Sequence, residues 1–133
     1  MIKQIDTLVA KLSFQEDVLT VLLKENSELE PNEFNDLLDQ AMEFVEYKKH
    51  YVIIDTRLIY NASSETRKLY AESPHKVYRY ADAFIVNSLA MRLLVNFYIT
   101  FQRPEIPARM FNDEKAAMIW IKELKKSNHY SVK

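Results

Sequence analysis

Asp55 and Arg57 stand just past Tyr51-Val52-Ile53-Ile54, a continuous apolar, β-prone run. Such a run reads as a central strand buried on both faces. The C-terminal end of a central strand is where open α/β sheets gather ligands. Asp55 could act there as a general base, with Arg103 or Arg109 as an anion clamp. The plainer reading of Asp55 and Arg57 is a strand-end ion pair. Ser63 and Ser64 are a second candidate, at the head of a short helix running to about Glu72, which either Asn61 or Ser63 can cap. Tyr70, His75, Tyr78, Arg79 and Tyr80 interleave aromatic and basic side chains, a pattern that can stack on nucleic-acid bases. The same residues also fit a tyrosine-rich connection laid over the core. His50, His75 and His129 lie far apart, and none has metal-ligand spacing with another His or a carboxylate on one helix face. No metal site and no cofactor are expected. Asp36 with Asp39, and Glu43 with Glu46, fit the solvated face of a helix.

The chain has no glycine and no cysteine. Without glycine there is no standard dinucleotide fingerprint, P-loop or nucleophile elbow, because each needs a backbone that approaches phosphate closely or turns under strain. Turns of unusual φ must instead fall on Asn, Asp, His or Lys. Without cysteine there is no disulfide, thiolate metal site or cysteine nucleophile. The 133 residues suit one domain, with 127–133 expected as a flexible tail. Composition is 48% hydrophobic and 28% charged, ordinary for a globular protein. With 18 basic and 19 acidic residues the net charge is -1, which argues against broad nucleic-acid binding. No apolar run is long enough for a membrane span. Met1 to Asp6 lack a signal peptide's apolar core, so the cytoplasm is the expected compartment.

The elements that must position these residues follow from periodicity. Thr7 to Phe14 alternates, with Leu8, Ala10, Leu12 and Phe14 on one face, and Val18 to Leu23 is a second strand close behind. The two read as an antiparallel hairpin. From Pro31, the residues Phe34, Leu37, Leu38, Ala41, Met42 and Val45 keep helical spacing, and the helix is expected to end near Lys48-Lys49-His50. Ala83 to Val86 is another buried strand, and Ala108 to Phe111 a last short one. Asn112 is expected to cap the final helix, whose inner stripe is Ala117, Trp120, Ile121 and Leu124. The order is β-β-α-β-α-β-α-β-α: an α/β fold with a mixed, mostly parallel sheet and an N-terminal antiparallel hairpin.

The helix capped by Asn87 or Ser88 and running to about Phe101 is too apolar for an ordinary surface helix. Its apolar residues, among them Met91, Leu93, Leu94, Val95, Phe97, Tyr98 and Phe101, cover an arc of roughly 200°. Arg92, Asn96 and Thr100 form a narrow polar edge. Met91, Leu94, Val95, Tyr98 and Phe101 are therefore candidates for a homodimer interface or for one wall of an apolar ligand pocket. Cover by the chain's own Leu58 to Tyr80 region is the third reading.

The element order resembles the STAS domain of anti-sigma-factor antagonists, in particular a divergent SpoIIAA-like group of bacterial proteins. Three stretches carry the resemblance: Tyr51-Val52-Ile53-Ile54-Asp55 with its serine-led helix, Ala81-Asp82-Ala83-Phe84-Ile85-Val86 before an apolar helix, and Pro107 to Ile121. The resemblance implies a non-enzymatic regulatory domain that binds a protein partner. It also implies a phosphoacceptor serine at the start of the helix after the central strand. Ser64 matches that position, with Ser63 beside it; Ala62 and Glu65 flank them where the family has Asp and Gly. Asn61, Glu65 and Arg67 would then face the partner. The alternative function is a carrier or sensor of a small apolar ligand, since related sheet-and-helix domains resemble lipid-binding modules.

Overall fold

The computed structural model describes residues 2–25, 29–59, 61–102 and 104–131, with side chains as far as residue 127. Arg103 and the side chain of His129 lie outside the described residues. Six strands form one sheet in chain order: β1 (Lys3–Asp6), β2 (Ala10–Gln15), β3 (Val18–Leu23), β4 (His50–Asp55), β5 (Arg79–Ile85) and β6 (Ala108–Phe111). The first three strands pair antiparallel, and β3 through β6 pair parallel. The mixed, mostly parallel sheet with an N-terminal hairpin is therefore the observed architecture.

Helix α1 (Pro31–Phe44) links β3 to β4, α2 (Ser64–Glu72) links β4 to β5, and α3 (Leu89–Phe97) links β5 to β6. All three crossovers step in one direction along the sheet. Right-handed connections that step one way place their helices on one face. The larger core accordingly joins Phe34 and Leu37 of α1, Tyr70 of α2 and Met91 and Val95 of α3 to Leu12, Val21, Ile54 and Phe84 of the sheet. Helix α4 (Glu114–Ser131) follows β6 onto the opposite face, where Ala117, Trp120 and Ile121 pack on Tyr51, Ile53, Ala81 and Ala83. Covering β4 and β5 from both sides is what makes every residue of β4 buried.

Several expectations need correction. β1 was not foreseen: all its residues are exposed and only Ile5 is apolar, so it carries no periodic signal and is held by its register against β2. The second strand begins at Ala10 rather than Thr7, and Leu8 is 82% exposed rather than on the core face. Helix α1 ends at Phe44, and His50 is a buried residue of β4 rather than a cation at a helix end. Asp113, not Asn112, caps α4: its Oδ1 accepts the Ala116 N–H at 2.8 Å, while the Asn112 Oδ1 accepts from Arg92 at 2.8 Å. Among the described residues positive φ falls on Glu16, Asp17, Glu46 and Tyr47, so of the expected types only Asp is used there. Glu16 and Asp17 form the two-residue turn between β2 and β3, where both central residues of the favoured hairpin geometry need φ > 0. The α3 turns after Phe97 widen into a π-helical segment, Tyr98–Gln102. Helix α4 continues past Lys125 and Lys126 to Ser131.

Candidate functional site

The start of α2 separates the two serines. The Ser63 Oγ accepts the Thr66 N–H at 3.2 Å and lies 2.9 Å from the Thr66 hydroxyl, which itself donates to the Leu29 carbonyl at 2.8 Å. Ser63 is thus the helix cap, and the Thr66 hydroxyl ties α2 to the segment before α1. Ser64, one position on, is exposed, as are Asn61 and Glu65. Arg67 is half-buried and donates to the Ala62 carbonyl at 3.4 Å.

The apolar arc of α3 splits into two halves. Met91, Val95 and Tyr98 are buried in the domain's own core, and Leu94 is half-buried against it. Leu89, Leu93, Phe97 and Phe101, every fourth residue, are 72%, 61%, 45% and 68% exposed. Of the five residues expected at an interface or pocket, Met91, Leu94, Val95 and Tyr98 border a cavity in the core and Phe101 is exposed. Leu89, Leu93 and Phe97 were missed as its companions because the arc's width does not say which edge meets the sheet. The Phe97 and Phe101 rings lie 4.9 Å apart. The Arg67 guanidinium sits 5.4 Å from the Phe97 ring centroid, so the start of α2 and the outer stripe of α3 form one continuous surface.

The inner half of the arc borders a different feature. Asp82 of β5 is fully buried and accepts a hydrogen bond from the Tyr70 hydroxyl at 2.9 Å. The Arg79 Nε lies 3.9 Å from the same Asp82 oxygen, and the Arg79 guanidinium stacks 3.8 Å from the Tyr70 ring centroid. Burial pushes the Asp82 carboxyl above the usual carboxylate range, and the neighbouring Arg79 charge pulls it back. Burial likewise raises the Tyr70 and Tyr98 hydroxyls. Asp82 Oδ2 and the Tyr98 hydroxyl are both buried without a hydrogen-bond partner. A cavity of about 60 Å³ is lined by Tyr70, Tyr98, Met91, Val95 and Phe84 among others. A second, of about 50 Å³, lies on the other side of Phe34 and Tyr70, which border both. Sequence reading passed over Asp82 as a site residue, although a carboxylate inside the apolar run Ala81 to Val86 was the available signal.

At the end of β4, the Arg57 Nε and Nη2 donate to the two Asp55 oxygens at 3.0 and 2.6 Å, and the Arg57 backbone N–H adds a bond at 3.1 Å. This is the strand-end ion pair. Arg109 does not join it, because its guanidinium stacks 5.3 Å from Phe111 and 5.7 Å from Trp120 on the α4 face. The aromatic and basic residues from Tyr70 to Tyr80 do not form one surface either. Tyr70 is buried, Tyr78 pairs with Tyr47, and Tyr80 lies against Tyr51. His75 Nε2 meets Asp39 Oδ1 at 3.1 Å, and His50 Nδ1 meets the Lys48 carbonyl at 2.8 Å. Among the described residues no helix is long and apolar enough to cross a membrane.

Residues 12–125 match a family model described as a domain of unknown function, DUF7793. The chain belongs to that family. No curated protein matches the sequence. Among solved structures it is similar to an uncharacterised protein of the DUF3478 family with a SpoIIAA-like fold from Shewanella loihica PV-4. The two share 14% identity over 90% of this chain and 92% of that one, with a TM-score of 0.58. The domain's fold is therefore SpoIIAA-like, as the resemblance of its three core stretches implied.

Proposed function

We propose that this domain is a non-enzymatic regulatory module that works by protein interaction, in the manner of anti-sigma-factor antagonists. The observation that carries the reading is the outer stripe of α3, four large apolar side chains in a row on the surface. Stripes of this kind mark interaction sites more often than idle surface. Its occupant is a second copy of the chain. Residues spaced four apart make a ridge, and across a two-fold axis each copy's ridge seats in the groove beside the other's, with the same residues on both sides. The regulatory partner then meets the adjoining start of α2, at Asn61, Ser64, Glu65 and Arg67. A phosphate on exposed Ser64 adds about -2 charge in the first turn of α2, where helix N–H groups favour it.

Light scattering coupled to size exclusion tests the assembly. The native chain is expected to elute as a dimer, and Leu93→Glu and Phe97→Glu as folded monomers by circular dichroism. A native chain that is monomeric at every concentration overturns the dimer. Intact mass after incubation with extract of the native host tests the switch. The expected result is a phosphate adduct that Ser64→Ala abolishes, and an unmodified mass under all growth conditions removes it from the proposal.

A further inference from the structure

Arg67 is lightly held. Its Nη1 donates to the Ala62 carbonyl at 3.4 Å, beyond the usual range for such a bond. Its guanidinium lies 5.4 Å from the Phe97 ring centroid. Among the described residues no carboxylate stands within ion-pair distance of it. The reach to Ala62 shows that the side chain runs back toward the start of α2, where Ser64 is exposed. Residues three apart on a helix are surface neighbours, about 5–6 Å between Cβ atoms, so Ser64 and the guanidinium share one turn. The Ser63 hydroxyl is engaged in the helix cap, which leaves Ser64 as the free one.

We infer that a phosphate on Ser64 draws the Arg67 guanidinium off the Phe97 ring, uncovers the middle of the α3 stripe and so tightens the pairing of two copies. This rests on the proposed function and supplies its regulation. A phosphate brings about -2 charge and three acceptor oxygens. The planar fork of an arginine meets it with two parallel hydrogen bonds, a stronger hold than a ring face at an exposed site. The consequence for α3 follows from where the guanidinium now sits. Phe97 lies between Leu93 and Phe101 in the stripe and is 45% exposed with Arg67 over it. A second copy packing on this ridge must strip water from that cation, and charged side chains are depleted from interface cores for this reason. Moved to the phosphate, the cation stands at the rim beside α2, and the ring is free for apolar contact.

The test compares the full chain carrying phosphoserine at position 64, installed during synthesis, with the unmodified chain. NMR follows the Phe97 ring and the Arg67 Nε–H signals, and sedimentation equilibrium gives the dimer Kd. Phosphorylation is expected to move both signals and to lower Kd about fivefold. Arg67→Ala should abolish the change in Kd. Arg67→Lys keeps the charge, loses the fork and should reduce both effects, which covers the case in which Arg67→Ala does not fold. Phe97 ring signals that do not move, a Kd that is unchanged or raised by the phosphate, or the same tightening in Arg67→Ala overturns the inference. Because the phosphate is installed, the lack of a kinase in the native host leaves this test untouched. A chain that never pairs in either form removes the dimer and the tightening together, and the Phe97 and Arg67 signals still decide whether the phosphate takes the guanidinium.

Discussion

The Arg67 guanidinium of α2 lies over the Phe97 ring of α3, 5.4 Å from its centroid, and joins the serine-led helix start to the exposed apolar stripe. The contact works in two ways. It gives a half-buried cation an electrostatically favourable ring face, and its aliphatic stem covers part of an aromatic that is otherwise 45% exposed. Arg67→Ala is expected to cost about 1 kcal/mol in urea unfolding. In a Phe97→Ala background the same change should cost about 0.5 kcal/mol less, and additive losses would show that the two side chains are not coupled.

Ser63 and Ser64 should separate cleanly in stability. Ser63 caps α2 and meets the Thr66 hydroxyl, so Ser63→Ala is expected to cost roughly 1–2 kcal/mol. Ser64 is exposed one residue later, and Ser64→Ala should stay within about 0.5 kcal/mol. Chemical denaturation of both variants checks the order. A Ser64 loss as large as that of Ser63 would place the cap at the wrong residue.

The hairpin turn carries a removable cost. Glu16 and Asp17 have φ of 50° and 65°, where a side chain's Cβ crowds the backbone. Asp17→Gly relieves that crowding in a turn geometry that favours glycine, against some loss of unfolded-state restriction. A net gain of about 0.5–1 kcal/mol is expected, read as a higher midpoint in thermal unfolding. An unchanged or lower midpoint would mean that the Asp17 side chain stabilises the turn by more than its crowding costs.

His50 predicts an acid-sensitive fold. Burial holds its imidazole below the ordinary histidine range, with the Lys48 carbonyl opposing the shift and Arg79 adding to it. The unfolded chain therefore binds this proton at higher pH than the folded one does. The His50 contribution is complete above pH about 6.5 and is lost as pH falls from there through the lowered folded value, at up to about 1.4 kcal/mol per pH unit. Asp82 acts in the opposite sense, since burial raises its folded value and acid relieves the cost of its charge. His50→Gln should flatten the stability profile just below pH about 6.5, measured by denaturation at stepped pH. A ring titration at the ordinary histidine value would contradict this.

The parts of the fold legible in the sequence are those where one local rule suffices. The unbroken apolar run from Tyr51 to Ile54 needs cover on both faces, and α1–α3 on one side and α4 on the other provide it. The final helix showed its inner stripe at Ala117, Trp120 and Ile121 through spacing alone. Errors arose where two neighbouring residues could serve the same local purpose. Asn112 and Asp113 both suit a helix cap, and Arg92, brought close by the fold, engages the first and leaves the second to cap. β1 had no local rule to follow, because its residues are exposed and its existence depends on β2 as a template.

The sequence by itself determined the succession of elements, the double burial of the central strands and, through the absence of glycine, which phosphate-cradling and nucleophile-elbow devices the chain cannot contain. It also determined that the α3 region is over-apolar. Only the tertiary structure decided how that arc divides, with Met91, Val95 and Tyr98 inside and Leu89, Leu93, Phe97 and Phe101 outside. Helical periodicity fixes the width of an apolar face but not its rotation against the sheet. That rotation comes from how α3 seats against Phe84 and Tyr70, and the same seating brings Tyr98 into the cluster of Tyr70 and Asp82.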